Sequence, residues 1–250
     1  MKNNIIILSQ PRTGSSLLCE IFHCFKQTRV LYELFNEGKE GKPPMLAQFE
    51  RKFICREEDY SDGETFNKFI QVNPIKTISR LERVIPNLFR VFKIHLVDAQ
   101  DWNIDFLFEN PNNDFILLHR RNKLEQYVSD KLASMTGAFS IHDELNGKSS
   151  RSTTLEFNLK DYRRFLNGNE WLYEKYISKL KSRGIDYLEV FYEDSLENYN
   201  ENFITTIQQW AVRNDIVLER NNYVPQHYQK QNLRPMSEII TNWEEIKDQI

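Results

Sequence analysis

Short apolar runs alternate along the chain with longer segments in which apolar residues recur at helical spacing. The runs have the length and apolar content of buried strands in a parallel sheet. The predicted strands are Ile5–Leu8, Arg29–Tyr32, Leu88–Ile94, Phe115–His119 and Tyr187–Tyr192. Because strands that alternate with helices favour a parallel sheet with helices on both faces, we expect an α/β domain.

The helical periodicity predicts helices that begin near Ser15, Asp98, Asn122, Leu159 and Ser195. From Asn198 to Arg213 the apolar residues also recur at the spacing of a helix that faces a core. Two segments fit neither pattern: Glu37 to Asp59 is polar and contains Pro43-Pro44, and Thr136 to Thr154 contains Gly and Ser. Long irregular segments of this kind are often functional, so both are candidates for substrate recognition.

The segment from Asn4 to Leu18, NIIILSQPRTGSSLL, joins the first strand to the first helix through a tight turn. The first backbone N–H groups of a helix have no partners within it, and the helix dipole favours negative charge there. Arg12 adds a guanidinium group, which clamps phosphate-like anions. A nucleotide-hydrolysing loop reads G-x-x-x-x-G-K-[ST], whereas this turn has one glycine, Gly14, and no lysine.

A second candidate phosphate site follows the strand that ends at His119. Arg120 and Arg121 leave the carboxyl end of that strand, where open α/β sheets bind ligands. Asn122 is a suitable N-cap for the next helix, and Ser129 lies about two turns further on. A guanidinium and a hydroxyl together can hold a dianionic phosphate.

These two motifs resemble those of the sulfotransferases that use 3′-phosphoadenosine 5′-phosphosulfate (PAPS). The run PRTGSS resembles the loop that binds the 5′-phosphosulfate, and its Arg is similar to that of carbohydrate sulfotransferases and the bacterial trehalose-sulfotransferase-like group. The resemblance implies a P-loop-type three-layer fold, with a central mostly parallel sheet flanked by helices. It implies PAPS as cofactor, PAP as its product and no metal. It assigns PAPS binding in the first loop to Arg12, Thr13, Gly14, Ser15 and Ser16.

The same resemblance leaves two candidates for the arginine that holds the 3′-phosphate. Arg121 precedes Ser129 by eight residues, as in the soluble enzymes, whereas Arg120 precedes it by nine, as in the trehalose-sulfotransferase-like group. That group also has a His before its Arg, as His119 is here, but the Asp-Pro that often follows the family's Arg is not kept. We therefore nominate both arginines together with Ser129.

Weaker resemblances concern the rest of the cofactor site. The run from Tyr187 to Asp194 resembles the strand whose end borders the adenine, which makes Tyr192 a candidate contact. Lys230 and Gln231 lie where many members have a late basic loop that closes over the cofactor.

Sulfuryl transfer needs a stabilised leaving phosphate, held sulfuryl oxygens and a base for the acceptor hydroxyl. Arg12 and the loop can serve the first two needs, and Lys93 can steady the bridging oxygen or the sulfuryl group. Glu33 matches the proposed base of the trehalose-sulfotransferase-like group. To act as a base near neutral pH, it needs apolar neighbours that raise its pKa. His95 is the competing base, since soluble sulfotransferases use a His and imidazole titrates near neutrality. The first two strands should be neighbours if the strand order is Rossmann-like.

Composition and net charge limit the partners and the location that we expect for the protein. The 250 residues carry a net charge of −3, which gives no basic excess for nucleic acid or an anionic membrane. No apolar run is long enough to span a bilayer, and the three cysteines form neither a disulfide framework nor a metal motif. We therefore expect one cytoplasmic domain over residues 1–250, with a small-molecule or glycan acceptor; a monomer and a homodimer are both compatible with the sequence.

Two other functions compete with sulfuryl transfer to a carbohydrate or glycoconjugate hydroxyl. The first is a P-loop kinase, against which the absent loop lysine argues. The second is a non-catalytic module that keeps the fold and binds a nucleotide. A comparison of ATP and PAPS binding distinguishes the kinase from the sulfotransferase. A screen for sulfuryl transfer distinguishes the non-catalytic module from the enzyme.

Overall fold

The computed structural model describes residues 4–35, 54, 69–70, 72–100, 104–139, 152–197, 199, 201–225 and 234–250. Most of the irregular segment 37–59 and residues 140–151 of the second irregular segment lie outside these ranges.

A five-stranded, all-parallel sheet forms the centre of the described structure. All five strands were predicted from the sequence, and their ends move by only a few residues. The strands are β1 (Asn4–Ser9), β2 (Thr28–Tyr32), β3 (Phe89–His95), β4 (Asn113–His119) and β5 (Tyr187–Phe191). The chain is therefore an α/β protein with a parallel sheet flanked by helices.

The strand order is β2-β3-β1-β4-β5. The expectation that the first two strands are neighbours is wrong, because β3 pairs with both and lies between them. Ser9 at the end of β1 is in register with His95, and Val30 of β2 is in register with Val91. The carboxyl end of β3 therefore lies between the loop after β1 and the segment after β2.

The helices largely follow the predicted starts, with three differences. The helices are α1 (Ser15–Phe22), α2 (Pro74–Val84), α3 (Asp105–Glu109), α4 (Lys123–Thr136), α5 (Leu159–Ser182), α6 (Tyr192–Ser195), α7 (Glu201–Arg213), α8 (Met236–Ile239) and α9 (Trp243–Ile246). Helices α2 and α3 were not predicted. Near Asp98 there is only a turn of 3₁₀ helix, Asp98–Gln100. A helix ends at Ser195 rather than beginning there, because α6 follows β5 directly.

Each face of the sheet has its own apolar core, as the alternation of side chains along a strand requires. In β1, Ile6 and Leu8 pack with residues of α2 and α5, whereas Ile5 and Ile7 pack with α1 and α7. Cys19 and Cys24 are buried in the second core. None of the helices in the described ranges has the length and apolar character needed to cross a lipid bilayer.

Candidate active site

The turn between β1 and α1 has the backbone shape of an anion cradle. Arg12 and Gly14 both have positive φ angles, 62° and 86°. The hydroxyl of Thr13 donates to the carbonyl of Gln10 at 2.8 Å, so it braces the turn from inside. No side chain caps the N-terminus of α1, which begins at Ser15. Its first N–H groups are thus available to an anion.

Two features require a glycine at position 14: the positive φ angle of its backbone and the close approach of the Tyr192 ring. A Cβ atom at this position would lie 2.6 Å from Cδ2 of Tyr192, a distance that real Cβ contacts do not reach. Tyr192 is buried and begins α6 directly after β5. The structure therefore brings this predicted contact residue onto the loop between β1 and α1.

Lys93 links the start of α1 to the segment after β2. Its Nζ atom lies 2.8 Å from the Ser16 hydroxyl and 3.4 Å from the Ser15 hydroxyl. The same Nζ atom lies 2.9 Å from Oε1 of Glu33. Lys93 is buried although it is charged, and burial of an ammonium group requires such partners. A cation from β3 thus contacts both hydroxyls at the start of α1.

His95 completes this cluster. Its Nε2 atom lies 3.5 Å from Oε1 of Glu33, and its Nδ1 atom lies 3.4 Å from the hydroxyl of Ser9. Both ring nitrogens therefore face protein groups. The His95 side chain is 10% exposed, compared with 28% for Glu33, so the carboxylate is the more accessible of the two predicted bases.

The expectation that the pKa of Glu33 is raised is wrong. Burial does act in that direction, but the hydrogen bond from His95 and the charge of Lys93 outweigh it. The pKa of Glu33 is therefore held well below its ordinary value of 4.5. The apolar neighbours that the sequence offered are present, but the decisive neighbours are two polar groups of β3.

Arg12 and Ser129, predicted in separate motifs, are in direct contact. Nε of Arg12 donates to the hydroxyl of Ser129 at 2.9 Å, and its Nη1 donates to the carbonyl of Phe139 at 2.6 Å. This contact joins the loop between β1 and α1 to α4. The two predicted phosphate sites therefore form one continuous polar surface.

Arg120 turns inward to the loop. Its Nη1 donates to the carbonyl of Arg12 at 2.9 Å, and its Nη2 lies 2.7 Å from a carboxylate oxygen of Glu125. The guanidinium carbon lies 4.8 Å from the centre of the Tyr192 ring. The buried Nε atom has no hydrogen-bond partner among the described residues. An unpaired cationic donor beside the loop is a strong candidate for an anion contact.

Arg121 turns outward. Its guanidinium forms a two-pronged ion pair with Asp194, with Nη2 and Oδ2 2.7 Å apart, and lies 4.1 Å from the centre of the Phe191 ring. Half of its side chain is exposed. Of the two arginines that the sequence left open, Arg120 thus adjoins the loop, whereas Arg121 pairs at the surface.

Sequence reasoning missed three polar groups of the site. Ser9 contacts His95, Glu125 holds Arg120, and Glu193 accepts hydrogen bonds from the backbone N–H groups of Arg121 and Asn122. The spacing Asn122-x-x-Glu125 is a helix N-terminus signature and offered one signal. Asn122 is confirmed as the N-cap, because its side chain accepts from the N–H of Glu125.

Two predicted contacts, Lys230 and Gln231, lie outside the described residues. Within the described ranges, no group of three or more His, Cys, Asp or Glu side chains has the arrangement of a metal site.

Comparison with known proteins leaves the site to be interpreted from its own chemistry. No protein-family model matches the chain, and no curated protein matches it.

Proposed function

We propose that this chain is a PAPS-dependent sulfotransferase with a P-loop-type three-layer fold. The observation that carries the proposal is the position of Lys93, whose Nζ atom joins the hydroxyls at the start of α1 to Glu33. This arrangement provides a cation for a transferring anionic group and a carboxylate beside it. A base next to the transferring group is what a hydroxyl acceptor needs.

The 5′-phosphosulfate lies in the turn before α1, where the N–H groups of the loop and the hydroxyls of Ser15 and Ser16 bind its oxygens. The 3′-phosphate lies against Arg120 and the Arg12–Ser129 pair. A second anion site next to the first fits a nucleotide that is phosphorylated on its 3′ oxygen. It has no counterpart in the binding of a 5′-triphosphate, which favours PAPS over ATP.

Glu33 is the base, and His95 is a positioning residue. The carboxylate is accessible, whereas both nitrogens of His95 face Glu33 and Ser9. In the unliganded protein His95 and Lys93 together hold the pKa of Glu33 low, which makes the carboxylate a weak base. A bound phosphosulfate competes for the ammonium of Lys93. As the ammonium turns to the sulfuryl and bridging oxygens, the pKa of Glu33 rises.

The transfer step balances with these groups alone. The acceptor oxygen attacks sulfur as its proton passes to Glu33, and the bond between sulfur and the bridging oxygen breaks. The electron pair of that bond stays on the phosphate of PAP, where Lys93 and the loop N–H groups stabilise the charge. The acceptor is a carbohydrate or glycoconjugate hydroxyl, which is then sulfated.

Calorimetry with PAP and ATP, followed by transfer of ³⁵S from labelled PAPS to a panel of glycans, phenols and alcohols, tests this function. We expect PAP to bind at least about tenfold more tightly than ATP, because a lost charge-assisted contact costs about 1.5–3 kcal/mol. We expect label in at least one acceptor. Tighter binding of ATP would favour a kinase, and bound PAP without transfer would favour a non-catalytic module.

A further inference from the structure

Strand β2 contains a β-bulge directly before Glu33. Val30 is in register with Val91, and Tyr32 is in register with Phe92. Two steps along β2 therefore match one step along β3, which is the residue count of a β-bulge. Bulges change the direction of the side chains that follow them. The next side chain along this strand is the base of the proposed function, Glu33.

The bulge decides which side of the sheet Glu33 faces. Regular pairing would place Glu33 level with Ile94, whose side chain belongs to the apolar core that packs with α2 and α5. The bulge brings it level with Lys93 instead, whose Nζ atom contacts α1 on the opposite face of the sheet. Since a shift of one residue exchanges the two faces of a strand, the Glu33 carboxylate meets the ammonium of Lys93 at 2.9 Å. Without the bulge, the carboxylate would face an apolar core.

Tyr32 carries this bend in an unfavourable backbone conformation. Its φ angle is 44°, in the left-handed region that residues with bulky side chains rarely adopt. Such a conformation persists only where the surrounding structure holds it, and conformations of this kind are concentrated at functional sites. The bend therefore needs an anchor outside the backbone of β2.

The anchor is the carboxylate of Glu20 in α1. The phenol hydroxyl of Tyr32 donates to Oε1 of Glu20 and lies 3.4 Å from Nε2 of His23. The hydroxyl of Tyr223 donates to Oε2 of Glu20 at 2.8 Å, so each oxygen of the carboxylate has a phenol partner. A hydrogen bond to an ionised carboxylate is among the stronger side-chain hydrogen bonds, which suits it to hold a strained residue.

Helix α1 therefore contacts the segment of the base at two points. Ser16 and Glu20 are four residues apart, so they lie on the same face of α1. The hydroxyl of Ser16 contacts Lys93, which pairs with Glu33. Glu20 holds Tyr32, the residue directly before Glu33. These contacts close a ring that fixes the carboxylate of Glu33 relative to the candidate anion site at the start of α1.

We infer that Tyr32 and Glu20 are positioning residues for the base, an inference that rests on the proposed function. The hydrogen bond between them holds the bulge, and the bulge sets the carboxylate of Glu33 on the face of the sheet where the phosphosulfate binds. Both residues act through Glu33 rather than on the reacting atoms. Loss of the anchor lets Tyr32 return to an extended conformation, which turns Glu33 away from Lys93 and His95.

Two phenols on one carboxylate provide a matched pair of variants. Tyr32→Phe removes the anchoring hydroxyl and keeps the ring. Tyr223→Phe removes the other hydroxyl that donates to Glu20 and leaves the Tyr32 contact in place. In the unliganded proteins, NMR follows the titration of the Glu33 carboxyl from pH 7 to pH 3.5, and the signal is identified by its absence from Glu33→Gln. Steady-state kinetics with labelled PAPS give kcat and KM, and calorimetry gives the affinity for PAP.

In Tyr32→Phe, the pKa of Glu33 should rise toward its ordinary value of 4.5, because the carboxylate leaves Lys93 and His95. The kcat should fall about 10–100-fold, since a displaced base receives the proton poorly. The KM for PAPS and the affinity for PAP should change by less than about twofold, because the anion site itself is intact. Tyr223→Phe should match the wild type in every measurement.

Glu20→Ala should reproduce the effects of Tyr32→Phe, since it removes the other side of the same hydrogen bond. The double variant should lose no more activity than either single variant, because one contact cannot be lost twice. This absence of additivity identifies the Glu20–Tyr32 contact, rather than either side chain alone, as the anchor of the bulge.

An unchanged pKa of Glu33 in Tyr32→Phe, or an equal change in Tyr223→Phe, would overturn the inference. PAP affinity that falls together with kcat would also overturn it, because the contact would then support the fold as a whole. If none of the proteins binds PAP or transfers sulfur, yet the pKa of Glu33 still responds to Tyr32→Phe and not to Tyr223→Phe, the proposed function fails and the placement of Glu33 by Tyr32 stands.

Discussion

The ammonium of Lys93 lies 2.9 Å from a carboxylate oxygen of Glu33, although Lys93 belongs to β3 and Glu33 follows β2. The same ammonium contacts the hydroxyl of Ser16 at the start of α1. One buried cation thus connects the predicted base to the predicted anion site. Any anion that enters the loop changes the electrostatic surroundings of Glu33.

Replacement of Lys93 by Met should lower kcat for sulfuryl transfer by about 10²–10³-fold, because the leaving phosphate loses a preorganised cation. The acid limb of the pH profile should also move to higher pH. The reason is that loss of the Lys93 charge lets the pKa of Glu33 rise, and the base acts only when it is ionised. Steady-state kinetics from pH 4 to 9 measure both effects.

The matched control for this variant is Lys26→Met, which removes an exposed lysine paired with Glu219. It should leave both kcat and the pH profile unchanged. A normal kcat in the Lys93→Met protein would remove Lys93 from the reaction.

Glu33 should make the stability of the fold depend on pH in the acid range. Its folded-state pKa lies below the ordinary value of 4.5, so it stabilises the fold above that pH, and the contribution is lost as the pH falls toward the folded-state pKa. Glu33→Gln should therefore lower the free energy of unfolding by about 1–3 kcal/mol at pH 7, since it removes the charged partner of the buried Lys93 ammonium. The difference from the wild type should shrink below pH 4.5. Urea denaturation at pH 7 and pH 3.5 measures it.

Glu219→Gln is the control, because Glu219 is exposed and paired only at the surface. A stability difference between Glu33→Gln and the wild type that is the same at both pH values would contradict the low pKa.

Gly14→Ala should destabilise the fold by about 1–3 kcal/mol, since a residue with a side chain is strained at this backbone angle and its Cβ would press on the Tyr192 ring. PAP affinity should fall as the turn distorts. Gly168→Ala is the matched control, because the new Cβ meets no atom within 4 Å and alanine favours a helix. Thermal unfolding and calorimetry of both variants provide the test. Equal behaviour of the two would mean that the turn tolerates a side chain.

Arg120 and Arg121 should differ sharply in their effect on PAP binding. Arg120→Ala should weaken binding by about 10–100-fold, as expected for the loss of a charge-assisted hydrogen bond. Arg121→Ala should change it by less than about threefold, because Arg121 is exposed and pairs with Asp194.

Because Arg120 is buried and forms an ion pair with Glu125, its replacement by Ala should also lower the stability of the fold. Arg120→Lys keeps the positive charge but replaces the fork-shaped guanidinium with an ammonium group. This variant should retain the fold and bind PAP with intermediate affinity. Stronger loss of PAP binding in Arg121→Ala than in the folded Arg120 variants would reverse the assignment.

The strands were predictable from the sequence because most are short runs rich in apolar residues, which is typical of strands buried in a parallel sheet. Their order was not, since the position of β3 between β1 and β2 depends on packing between distant segments. Helix α2 had a signal that was overlooked, with buried Ile78 and Leu81 at helical spacing. Ile75 and Val84 continue this spacing, so apolar residues recur along the whole helix.

The candidate site was predictable only residue by residue. Arg12, Ser129, Glu33 and Lys93 were all nominated from motifs, but the contacts that pair Arg12 with Ser129 and Glu33 with Lys93 were not. The error on the pKa of Glu33 has the same origin. Apolar neighbours in the sequence are visible, whereas a cation supplied by another strand becomes visible only when the strand order is known.

The insertion of β3 between β1 and β2 has a consequence for the order of events during folding. Lys93 belongs to β3, which follows β1 and β2 in the chain. It can reach Ser16 and Glu33 only after β3 has paired with β1 on one edge and with β2 on the other. Such long-range parallel pairing is slow compared with the formation of local structure. The loop and its first helix can therefore form early, but the cluster around Lys93 can form only once the sheet is assembled. Formation of this ion pair is thus a marker of completed folding.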